Sequence, residues 1–207
     1  MEESHENDIK VILLGDCGVG KTNIISRYIN DVFRDSVMST NGANYGMKKV
    51  EVDGVTYDIN IWDTAGQEKY RAVTKMFIQD SQIVLICYSI IDRSSFNNLE
   101  YWVRLALDML DGDRIVLGVI GNKSDLFEIE KVKEKEGETF AKKHKALFHL
   151  ASAKTNKKGI DKLFYDSIKK YLKIKKGDTT SNSSDNQSIK LNEKSKAKIE
   201  QKKTNCC

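Results

Sequence analysis

Apolar runs of strand length recur along the chain between stretches of helical periodicity. They are Ile9–Leu14, Tyr45–Val52, Thr56–Trp62, Ile83–Ser89, Ile115–Gly121 and Ala146–Leu150. Asp53-Gly54 divides the second run from the third. That dipeptide tolerates the positive φ angles of a two-residue hairpin, so one antiparallel pair is predicted. Ile83-Val84-Leu85-Ile86-Cys87 and Ile115-Val116-Leu117 do not alternate with polar residues, which predicts strands covered on both faces. Helices are predicted over Lys21–Asn30, Ser94–Leu110, Glu130–His144 and Gly159–Leu172. In Ser94–Leu110 the residues Phe96, Leu99, Val103, Leu107 and Leu110 fall at three-to-four spacing. One hairpin among strands that alternate with helices predicts an α/β fold. The sheet is read as six-stranded and mostly parallel, with one antiparallel edge strand and helices on both faces.

The pattern fades after Lys176. The rest lacks aromatics and keeps only Ile189, Leu191 and Ile199 as large aliphatics, too little apolar surface to offset the entropy of ordering. Residues 8–174 are therefore read as one domain and 175–207 as a flexible, lysine-containing tail. Of 34 basic and 30 acidic residues, the tail holds eight lysines and four acids, so the body carries 26 of each sign and is neutral. A neutral body argues against a nucleic-acid partner. A basic tail suits an acidic membrane leaflet. No apolar run approaches the ~20 residues of a membrane span. The start, MEESHENDIK, is too acidic and polar for a secretory signal. Four cysteines do not form a disulfide framework, and a reducing cytosol is expected. Cys87 reads as core, and the three histidines have no metal-like grouping.

The chemistry begins where the first strand ends. Gly15-Asp16-Cys17-Gly18-Val19-Gly20-Lys21-Thr22-Asn23 joins that strand to a helix. Glycines let main-chain N–H groups turn inward around a phosphate, and the helix N-terminus adds the positive end of its dipole. Lys21 would meet the β- and γ-phosphates, and the Thr22 hydroxyl would bind Mg²⁺. The end of the fifth strand brings Asn122-Lys123-Ser124-Asp125. A carboxylate at Asp125 can accept both donors on the guanine edge, whereas adenine would leave it unpaired. Asn122 can bridge loops, and the stem of Lys123 can pack along the ring. Ser152, Ala153 and Lys154 follow the sixth strand and can close over the base, with Ser152 or Thr155 as a helix cap. After the third strand, Asp63 can hold Mg²⁺ through water, Gly66 can offer its N–H to a γ-phosphate, and Gln67 can orient an attacking water. Thr40 can complete the metal shell, and Phe33 can lie edge-on against the base.

These stretches, in this order, resemble those of a Ras-superfamily small GTPase, and residues 8–174 resemble a Rab in particular. "IWDTAGQEKYRAVT", "ASAKTNKKGIDKLF" and the terminal Cys206-Cys207 carry that second resemblance. It implies the small G domain of a P-loop NTPase, which binds GTP or GDP with Mg²⁺ and hydrolyses GTP slowly through Gln67 and Lys21. Its implied partners are an exchange factor, a GTPase-activating protein, effectors, a dissociation inhibitor and a prenylation escort protein. It implies double geranylgeranylation of Cys206 and Cys207, and cycling between cytosol and the cytoplasmic face of an endomembrane in vesicle traffic. Departures from the family pattern fall at Val37, Asn41, Ala43-Asn44-Tyr45-Gly46, Met76-Phe77-Ile78-Gln79-Asp80, and Cys17. The altered switch segment motivates one alternative, a GTP-locked membrane scaffold that does not hydrolyse. A nucleotide kinase is disfavoured by the lack of an arginine-rich lid segment.

Overall fold

A computed structural model describes residues 7–36, 40, 43–65 and 71–177. By internal contacts the chain divides into a unit ending at Tyr171 and a second beginning at Leu172. Of the second unit, residues 172–177 are helical.

The first unit holds six strands: β1 (Asp8–Leu14), β2 (Ala43–Val52), β3 (Val55–Thr64), β4 (Ile83–Ser89), β5 (Val116–Asn122) and β6 (Leu147–Leu150). They form one sheet in the order β2-β3-β1-β4-β5-β6. Among the described residues only the β2–β3 pair is antiparallel. Its turn is at Asp53 (φ 52°) and Gly54 (φ 80°), the conformation that the dipeptide favours. β4 and β5 are buried at every position, which requires cover on both faces. That cover comes from α1 (Lys21–Asn30), α2 (Arg71–Ile78), α3 (Arg93–Asn97), α4 (Leu99–Leu107), α5 (Glu134–Lys143) and a last helix, α6, over residues 157–171 of this unit.

The strands alternate as pleating demands. Ile12, Leu14, Val84, Ile86 and Tyr88 pack in one cluster with Leu99, Trp102, Val103 and Ala106 of α4 and Ala141 of α5. Across α1 and α6, Tyr28 stacks on Phe164 with centroids 3.8 Å apart.

Three expectations change in detail. The helix read over Ser94–Leu110 is two, because Asp92 caps the first and Asn98 stands between them. The helix read over Glu130–His144 starts only at Glu134, where the Glu136 carboxylate accepts from the Lys133 N–H; a 3-10 segment, Ser124–Ile129, precedes it. Helix α2 was not foreseen at all.

Candidate functional site

β1 and β3 run parallel, so their carboxyl ends deliver Gly15 and Asp63–Thr64 to the same edge of the sheet. β4 and β5 bring Cys87 and Asn122 alongside. That edge opens into a cavity of about 430 Å³, within the range of small-ligand sites.

The glycine loop is built against its neighbours. Gly15 has φ 135°, and a Cβ there would lie 2.2 Å from the Cys87 carbonyl oxygen. Gly20 has φ 100°, and a Cβ would meet the Asn122 amide nitrogen at 2.4 Å. No side chain caps α1, so its first-turn N–H groups face the cavity without a partner from a cap. Lys21 is 6% exposed; its Nζ donates to the Gly15 and Asp16 carbonyls at 2.7 and 2.9 Å. Burial lowers its pKa, opposed by neighbouring acids such as Asp63.

Beside it three oxygen-bearing side chains converge. Thr22 donates to Asp63 Oδ2 at 2.7 Å and Thr40 donates to the same oxygen at 3.1 Å; the two hydroxyls are 3.1 Å apart. Asp63 Oδ1 is buried with no partner among the described residues. Burial raises the Asp63 pKa, opposed by the two hydroxyls and by Lys21.

The other end is made by β5 and the turn after β6. Asn122 bridges: its Nδ2 donates to the Val19 carbonyl at 2.8 Å, and its Oδ1 accepts from the Ala153 N–H at 3.3 Å. Lys123 takes a left-handed conformation (φ 66°) and donates to the Gly18 carbonyl at 2.8 Å. Asp125 lines the cavity. Its Oδ1 accepts from Ser152 Oγ at 2.5 Å, and Ser152 also accepts from the Lys154 and Thr155 N–H groups. Lys154 stands 5.9 Å from the Phe33 ring centroid. Asn23 pairs with the main chain of Arg34, which holds the segment carrying Phe33 against α1.

Of the residues read from the sequence, Cys17, Gly18, Gly20, Lys21, Thr22, Asn23, Phe33, Thr40, Asn122, Lys123, Asp125, Ala153 and Lys154 line the cavity. Gly15, Val19, Asp63 and Ser152 support it from behind. The Asp16 side chain turns the other way, toward α4. Gly66, Gln67, Val37, Asn41, Cys206 and Cys207 lie outside the described residues. Asp35, Thr64 and Leu126 also line the cavity and went unread. Arg27 was missed as well: it donates to the Ala153 and Lys154 carbonyls at 2.8 and 3.2 Å, across more than 120 residues of chain, with no local signal.

Residues 10–173 match the Ras family, and the chain belongs to it. It is 40% identical over 144 residues to the Ras-related protein Rab-11B of Dictyostelium discoideum, a match covering 70% of this chain and 65% of that protein. It is 38% identical over 167 residues to Rab-21 of the same organism, covering 81% and 78%. To Rab-18 of Caenorhabditis elegans it is 35% identical over 164 residues, covering 79% and 80%. It is thus a Rab-like small GTPase, a guanine-nucleotide-binding GTP hydrolase of the class that works with regulators and effectors in vesicle traffic.

Proposed function

We propose that this cavity is the guanine-nucleotide site, with Mg²⁺ between Thr22, Thr40 and Asp63, and that the chain is a lipid-anchored switch on the cytoplasmic face of an endomembrane. The convergence of two hydroxyls on a buried carboxylate beside Lys21 carries the reading. All three donors are oxygens, the set a hard divalent cation takes, and the orphaned Asp63 Oδ1 is an acceptor without a proton donor. When bound, Mg²⁺ would neutralise charge on the phosphates.

The chain's own groups supply the rest. The N–H groups from Asp16 to Thr22 and the α1 N-terminus surround the phosphates. Lys21 leaves the Gly15 and Asp16 carbonyls and places its ammonium on the γ-phosphate side, where it opposes developing charge. Thr40 and Gly66 contact the γ end, so both loops relax after hydrolysis. Gln67 orients the attacking water. Asp125 accepts from the guanine edge, steadied by Ser152, while Lys123, Lys154 and Phe33 flank the base. Residues 175–207 tether the domain, with Cys206 and Cys207 carrying geranylgeranyl groups. An exchange factor, a GTPase-activating protein, effectors, a dissociation inhibitor and an escort protein act on it in turn.

Calorimetry with Mg²⁺ tests the site: GDP and GTP bind, ATP does not. Equal binding of ATP would overturn the guanine assignment. In single-turnover hydrolysis, Gln67→Leu lowers the rate on the order of 10-fold or more if the residue positions water; an unchanged rate removes it from the mechanism.

A further inference from the structure

Asp16 is the second residue of the glycine loop, yet its carboxylate is spent elsewhere. Oδ2 accepts from Asn98 Nδ2 at 2.7 Å and Oδ1 accepts from Trp102 Nε1 at 2.8 Å. Among the described residues each oxygen has one donor, and both donors are neutral. Trp102 is 1% exposed inside the α4 cluster, where a buried indole N–H needs a partner. Asn98 stands at the break between α3 and α4, and its own N–H donates to the Ser94 carbonyl at 3.0 Å. The residue that interrupts the helix is the one that reaches the loop.

The main chain of Asp16 has a second duty. Its carbonyl accepts from Lys21 Nζ at 2.9 Å, beside the Gly15 carbonyl. Gly15 cannot shift toward the sheet, because it already abuts the Cys87 carbonyl. The loop is thus clamped on both sides, by β4 at Gly15 and by α4 at Asp16. Without the α4 clamp, Asp16 would be a carboxylate free to swing toward the phosphates that the loop gathers, and repulsion would follow.

We propose that Asn98 and Trp102 are positioning residues for nucleotide retention: through Asp16 they pin the phosphate loop to α4. The proposal rests on the reading of the cavity as a guanine-nucleotide site. Movement of α4, by a partner or a modification, then loosens the loop and speeds nucleotide release.

The test is the rate at which the full chain releases a fluorescent N-methylanthraniloyl-GDP when chased with excess GDP and Mg²⁺. Asn98 is exposed, so Asn98→Ala leaves the fold intact. It speeds release by about tenfold, the factor expected when one charge-assisted hydrogen bond is lost. Single-turnover hydrolysis of bound GTP changes less than about twofold in this variant, because the phosphates themselves order the loop once bound. Asn98→Asp sets a second carboxylate against that of Asp16 and speeds release at least as much. Combining Asp16→Asn with Asn98→Asp reverses donor and acceptor, puts a carboxylate at the N-cap of α4, and restores release to within about twofold of wild type. Trp102→Phe speeds release too, but it also alters the core, so thermal melting is recorded beside it. Singles that release nucleotide at the wild-type rate, or a double variant no better than the singles, overturn the proposal. If the wild-type chain fails to bind the GDP analogue, the site assignment itself falls instead.

Discussion

Asp125 is held by one oxygen. Ser152 donates to Oδ1 at 2.5 Å, which leaves the rest of the carboxylate for the proposed contact with a base. Asp125→Ala should weaken GDP binding by about 10²-fold, since hydrogen bonds to a charged group contribute about 1.5–3 kcal/mol each. Ser152→Ala keeps the carboxylate but frees its rotation, and should cost about tenfold. Titration calorimetry separates the two; equal effects would mean that Ser152 touches the ligand itself. Tyr88 presents a different residue-scale case. Its side chain is fully buried and its hydroxyl has no partner among the described residues. The Cβ positions of Gly121 and Gly137 would lie 2.8 and 2.6 Å from that hydroxyl. Tyr88→Phe removes a desolvated polar group and should be neutral or stabilising by up to about 1 kcal/mol in urea unfolding. A clear loss would reveal a partner for the hydroxyl.

Between elements, Arg93 of α3 meets Glu136 of α5. Its Nη1 and Nη2 reach the two carboxylate oxygens at 2.5 and 3.1 Å, and Nη2 also donates to the Lys131 carbonyl. Arg93 first, then the Lys133 N–H, hold Glu136 down from the ordinary 4.5 to about 2. The folded-state value lies below the unfolded one. The pair's contribution is therefore complete above 4.5 and drains away as pH falls toward 2. In urea unfolding the gap between wild type and Glu136→Gln should hold steady from pH 7 to about 5 and narrow below that. A gap that stays constant down to pH 3 would show that the carboxylate is not specially stabilised. The same region shows how far sequence reaches. β4 and β5 were legible because unbroken apolar runs have one common use, and the glycine loop because three positive φ angles demand glycine. The break at Asn98 was not, because Leu99 and Val103 continue the apolar spacing straight through it. The side chain at that break makes a polar contact with Asp16, 82 residues away in the chain, which no local pattern announces. The late start of α5 arises likewise from a local cap that the charged stretch conceals. Arg27 and Thr64 joined the site through tertiary placement alone.

For the whole molecule, the proposed attachment and the proposed switching fall in different parts of the sequence. No helix among the described residues is long and apolar enough to cross a membrane. An anchor at Cys206 and Cys207 would rest on two lipid chains, each methylene adding about 0.8 kcal/mol when buried. Replacing both cysteines by serine should move the protein from the membrane pellet to the soluble fraction of a cell lysate while GDP affinity stays within about twofold, the range for a change remote from the site. Retention in the pellet would assign membrane binding to another surface. A last consequence lies in the hairpin. Its base, Ala43 paired with Thr64, adjoins the cavity, whereas Asp53-Gly54 caps the opposite end. The strand between them is 10 residues long, a reach of about 30 Å. That tip is exposed. A dye or an epitope spliced there would give investigators a handle for watching the live protein, placed at the far end of the hairpin from the cavity.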